Sequence, residues 1–62
     1  MSKNSRLLSK TVREAGKGIG SLVGPRNARF LMSVYGNPNR ARHADESQNN
    51  LAYRILEQYE LI

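Results

Sequence analysis

The sequence predicts an all-α fold: a small three-helix domain with helices at about 6–23, 25–35 and 46–60 and a polar loop over 36–45. Three observations carry that expectation. Apolar residues recur at intervals of three and four, the spacing of one helix face. No alternating run of β-branched residues bounded by turn residues occurs, so strand signals are missing. The strongest punctuation, Gly24-Pro25 and Gly36-Asn37-Pro38, falls between the periodic stretches. A chain of 62 residues makes one domain at most, here 1–62.

Residues 1–5, MSKNS, form a polar lead-in in which Asn4 or Ser5 suits an N-cap. Leu8, Val12, Ala15, Ile19 and Leu22 then define an apolar stripe, with Arg6, Lys10, Arg13 and Lys17 on the opposite side. Within this stretch lies GKGIGSLVG, residues 16–24, with four glycines. Gly16, Gly18 and Gly20 together forfeit roughly 2–3 kcal/mol of helix propensity relative to alanine. Either the helix stops near Ala15 with Gly16 as its cap, or it continues to Val23 with Gly16, Gly20 and Gly24 lining one edge for close packing. Because Ile19, Leu22 and Val23 keep the phase, the continuous helix is the expectation. A phosphate-cradling loop needs a different glycine spacing and a preceding strand, neither of which is present.

Glycine ends a helix and proline suits the first turn of the next, so Gly24-Pro25 starts a second helix running to Tyr35. Asn27, Phe30, Leu31 and Val34 form its inner side and Arg26, Arg29 and Ser33 another, with Gly36 as a natural residue just past its end. Residues 36–50 contain no apolar side chain larger than alanine and read as a connection; helix can resume as early as Pro38, with Ala41 and Ala44 in phase, but the asparagines and serine weaken that start and a beginning near 45–47 is expected. In the last element, Leu51, Ala52, Ile55, Leu56 and Tyr59 form a wide stripe, while Arg54, Glu57, Gln58 and Glu60 face water. Asp45 and Glu46 sit where carboxylates favour a helix start.

Composition removes several function classes. Cysteine is absent and His43 is the only histidine, so no metal, cofactor or thiolate chemistry is expected, and a reducing, cytoplasmic location is. The carboxylates are scattered, with no spacing that brings a pair together on one helix face. A non-enzymatic protein that acts by binding is therefore expected. No apolar run approaches the roughly 20 residues needed to span a bilayer, and no secretory apolar segment is present.

Charge distribution points to the kind of partner. The net charge is +5, but residues 1–42 hold nine of the ten basic side chains against Glu14 alone, whereas 43–62 hold Arg54 against Asp45, Glu46, Glu57 and Glu60. A basic body with an acidic end suits an anionic partner. Nucleic acid is the first expectation, contacted by Lys10, Arg13, Lys17, Arg26, Arg29, Arg40 and Arg42. The alternatives are a protein-interaction module and a membrane-surface helix. The first would be an adaptor, an inhibitor or a subunit of a larger particle, with Tyr35, Tyr53 and Tyr59 as anchors for a protein partner or a homo-oligomer. The second would use the amphipathic stretch 6–23.

Overall fold

A computed structural model of the protein describes residues 3–62. In chain order it contains α1 (Lys3–Ala15), a 3-10 turn (Gly16–Gly18), α2 (Ile19–Val23), α3 (Pro25–Tyr35), α4 (Pro38–Ala41) and α5 (Glu46–Gln58). No strand occurs among the described residues, and the fold is all-α as expected. The molecule measures 28 × 19 × 17 Å. Helix α3 packs on α1 and α2, α4 wedges against α1 and α3, and α5 lies against α1. One core joins all five helices: Leu8 and Val12 from α1, Ile19 and Val23 from α2, Ala28, Leu31 and Tyr35 from α3, Ala41 from α4, and Ala52, Ile55 and Leu56 from α5.

The glycine-rich stretch departs from the expected continuous helix. Gly16 takes φ +58°, the left-handed region that glycine enters without a Cβ penalty. The α1 helix stops at Ala15, and the chain re-enters helix only at Ile19. Beyond the break Ile19 and Val23, four apart, are buried, while Leu22 faces outward at 47 % exposure. A Cβ at Gly20 would meet Ala28 only at 4.0 Å, an ordinary contact, so close backbone packing is not what this glycine supplies. Gly24 ends α2 and caps α3 at φ +89°, ψ 159°, a conformation almost confined to glycine. Gly18, by contrast, has φ −73° and open space where a Cβ would go. Gly24→Ala is expected to cost about 1–3 kcal/mol. Gly18→Ala should instead stabilise by about 0.4–1 kcal/mol through the unfolded chain. Urea unfolding of the two variants checks the opposite signs.

The later elements follow local chemistry. Asn27 of α3 reaches back to donate from Nδ2 to the Val23 carbonyl at 2.9 Å, satisfying an end group of α2. The segment expected to be a polar loop, 36–45, contains the one-turn helix α4. Asn37 caps it, its Oδ1 accepting from the Asn39 amide at 2.8 Å, and Ala41, fully buried, fastens it to the core. Gly36 does not adopt the left-handed conformation typical of a residue past a helix end; its φ is −67°. At α5, Asp45 accepts from the Gln48 amide at 2.8 Å, and the Gln48 side chain accepts from the Asp45 amide at 3.0 Å. This reciprocal box sets the start of the helix. The other end stops at Gln58, short of the expected residue 60, because Glu60 turns left-handed at φ +58°. The Leu61 amide then donates to the Leu56 carbonyl at 2.8 Å and the Glu60 amide to that of Glu57 at 3.0 Å, closing the last turn.

The inner faces also shift from the expected ones. Helix α3 buries Ala28, Leu31 and Tyr35, leaving Asn27, Phe30 and Val34 at the flanks. Helix α5 buries Ala52, Ile55 and Leu56, leaving Leu51 and Tyr59 exposed. Asn4 and Ser5 lie inside α1 rather than capping it, and Ser5 is buried. Residues 1 and 2 of the expected lead-in are outside the described residues.

Candidate functional site

The polar groups of the interior decide how the surface is presented. Tyr35 is fully buried, so it serves the core and not, as expected, a partner-facing anchor. Its hydroxyl donates to Asn49 Oδ1 at 2.6 Å, and the Asn49 amide donates to Ser5 Oγ at 3.0 Å. Ser9, also buried, donates from Oγ to the Tyr35 carbonyl at 3.0 Å. Side chains of α1, α3 and α5 are thereby tied through one tyrosine, and no buried side-chain polar atom is left without a partner among the described residues. The Phe30 ring stands edge-on to Tyr35, with centroids 6.3 Å apart and planes at 82°.

Burial, with the Asp45 charge adding to it, pushes the Tyr35 phenol from 10.0 up to about 12. The unfolded chain loses this proton near its ordinary value while the folded one keeps it. The stabilisation from the neutral phenol is therefore whole below pH 10 and is lost as pH rises toward 12. The urea midpoint should fall across that window, and Tyr35→Phe should lack this component of the alkaline fall.

Outside this knot the basic side chains form two groups. The first surrounds a concavity of about 460 Å³ between α1 and α4, lined by Arg6, Ser9, Arg13, Pro38, Asn39 and Arg42. Arg6 and Arg13 lie on the same side of α1, and α4 swings Arg42 to face them. The buried Ser9 hydroxyl that holds the Tyr35 carbonyl also accepts from Arg13 Nε at 3.3 Å, so the Arg13 guanidinium is tethered to the core. The second group lies on α3. Arg26 and Arg29 line an open groove of about 470 Å³ with Phe30, Ser33, Val34 and Gln48. Arg40 of α4 reaches the rim of that groove, donating from Nη1 to the Ser33 carbonyl at 3.3 Å. Arg40 and Arg42 thus extend from one turn of helix toward different groups, and Ala41 between them is the buried anchor. None of these arginines forms an ion pair with a carboxylate of a described residue.

Of the other expected contact residues, Lys10 is exposed on α1 between Arg6 and Arg13 in the helical phase. Lys17 is exposed too, but it lies in the 3-10 turn beyond the Gly16 break and leaves the α1 stripe. Tyr53 and Tyr59 are each 41 % exposed. Tyr53 borders a polar hollow with Asn4, Asn49 and Asn50. Arg6, Ser9 and Asn39 join the site without having been singled out as contacts. The three- and four-residue steps from Arg6 to Ser9 to Arg13 are the sequence signal that places them on one helix side.

The apolar stripe that a membrane-surface helix would need is inside the core, since Leu8, Val12, Ile19 and Val23 are buried. Among the described residues no helix is long and apolar enough to cross a membrane, and no group of His, Cys, Asp or Glu side chains is placed to hold a metal ion. Comparison with protein-family models, curated proteins and solved structures yields no match to this chain.

Proposed function

We propose that the chain is a non-enzymatic binding protein whose Lys/Arg surface contacts the phosphate backbone of nucleic acid. The observation that carries this reading is the arrangement on α1, α3 and α4 of arginines without carboxylate partners among the described residues, two groups joined through one short helix. Like charges held together without neutralisation repel one another, and an arriving polyanion relieves that repulsion. Arginine suits the task because its planar fork makes paired hydrogen bonds to phosphate oxygens. Of the acidic residues, Asp45 and Glu46 sit at the start of α5, three and four residues after Arg42, and Glu57 and Glu60 at its other end and beyond.

The test is fluorescence anisotropy with a mixed-sequence oligonucleotide. Arg26→Ala with Arg29→Ala removes two exposed charges and is expected to weaken binding about tenfold or more at low salt. Glu46→Gln with Glu57→Gln should leave affinity unchanged or raise it. Equal losses from both double variants would mean that the arginine surface has no special role.

A second reading, a protein-interaction module, is favoured by the exposed Leu22, Met32, Leu51, Tyr53, Tyr59 and Ile62. It requires these side chains to become covered in an assembly, so sedimentation of the chain across a concentration series distinguishes it from a protein that stays monomeric until nucleic acid is added.

A further inference from the structure

We propose that the concavity between α1 and α4 is a seat for a phosphomonoester dianion, the chemistry carried by a phosphorylated strand end or a free nucleotide. The inference rests on the nucleic-acid reading for its strand-end form and goes beyond it in assigning one pocket a ligand class that the rest of the basic surface does not share.

Three features of the pocket support the assignment. First, Arg6, Arg13 and Arg42 line one concavity that has no Asp or Glu among its lining residues. Its volume of about 460 Å³ falls in the lower half of the range of roughly 300–1,000 Å³ usual for small-ligand sites. Second, one of the three cations is held in place before any ligand arrives. Arg13 Nε is bound by Ser9 Oγ, Ser9 is 1 % exposed and fixed to the Tyr35 carbonyl, and Arg13 makes no other hydrogen bond among the described residues. Its terminal amino groups stay free to donate at low ordering cost. Third, the charge fits a monoester better than a backbone diester. A phosphomonoester brings about −1.5 to −2 charge and three strong acceptor oxygens at neutral pH. A backbone diester brings one charge and two free oxygens. Three guanidinium forks and the Asn39 amide supply more donors than one diester can use. The groove beside Phe30 has two arginines and apolar walls, and it lacks this donor density.

The experiment compares the full chain on two oligonucleotides of one sequence, one with a 5′-phosphate and one with a 5′-hydroxyl, with inorganic phosphate and a nucleoside monophosphate as competitors. The wild type should favour the phosphorylated strand about tenfold. Arg6→Ala with Arg42→Ala, both at exposed positions, should bring that ratio to one, whereas Arg26→Ala with Arg29→Ala should weaken both strands and keep the ratio. Competition by the nucleoside monophosphate at lower concentration than inorganic phosphate would show that the pocket also reads the attached nucleoside. Equal competition would show that it reads the phosphoryl group alone. Both results uphold the seat. A protective shift in melting temperature by inorganic phosphate, present in the wild type and absent in the Arg6/Arg42 variant, would uphold it even if neither strand binds, in which case only the nucleic-acid reading falls. A wild-type ratio of one, with salt-sensitive binding intact and no protection by phosphate, would overturn the seat and leave the nucleic-acid reading standing.

Discussion

Tyr35→Ala is expected to leave the protein largely unfolded at room temperature. Tyr35 is the largest of the fully buried side chains, and its hydrogen bonds to Asn49 and from Ser9 tie α3 to α5 and α1. Truncating a buried aromatic residue to alanine costs about 3–5 kcal/mol. A folded chain is stabilised by only about 0.05–0.15 kcal/mol per residue, so for a small domain the loss is comparable to the whole. The substitution also removes the shorter of the two hydrogen bonds that Asn49 Oδ1 accepts in its part-buried position, leaving only that from Ser5 at 3.4 Å. Tyr35→Phe separates the two contributions. It keeps the ring, its edge-on contact with Phe30 and the backbone carbonyl that Ser9 holds, and should cost only about 1–2 kcal/mol. Urea denaturation followed by far-ultraviolet circular dichroism reads both. A Tyr35→Ala protein with an unchanged midpoint would mean that the core does not depend on this residue.

The second large effect is expected on α4. Arg40→Glu with Arg42→Glu reverses two charges on the single turn that connects the arginine groups, and affinity for nucleic acid should fall by about a hundredfold or more at low salt. Both side chains are exposed, and the buried Ala41 is untouched. The stability cost should be confined to the Arg40 hydrogen bond to Ser33, which is exposed and worth about 0.5–1.5 kcal/mol at most. Loss of binding without loss of folding is the signature of a surface role. If the double reversal binds as tightly as the wild type, α4 does not face the polyanion.

Helices α3 and α5 were legible because each has a long periodic stripe and a chemical start signal, Gly24-Pro25 in one case and Asp45 in the other. Helix α4 was not, because one turn of helix has no periodicity and its only apolar residue is Ala41. Its identity depends on tertiary contact with α1 and α3, which local propensity does not encode. The same limit explains why Arg42 meets Arg6 and Arg13 only in the folded chain. At Gly16 the residues allow both a continued and a broken helix, and the chain takes the left-handed turn that glycine permits, with Ile19 and Val23 buried beyond it. The role of Tyr35 was within reach: Ala28, Leu31 and Tyr35 recur at three and four and mark one face of α3. Its place at the end of the helix beside Gly36 made it look like a surface anchor, and the Asn49 and Ser9 partners that hold it inside come from distant segments.

The central claim is that arginines from separate helices act together as one polyelectrolyte surface. It is tested most directly by measuring affinity for a mixed-sequence oligonucleotide across a salt series at neutral pH. Each phosphate contact contributes about 0.7–0.9 to the slope of log affinity against log salt, so an interface using most of the seven exposed cations on α1, α3 and α4 and at their ends should give a slope of about −4 or steeper. Arg40→Glu with Arg42→Glu should make it shallower by about 2. A slope near zero, or no detectable binding at the lowest salt, would contradict the claim.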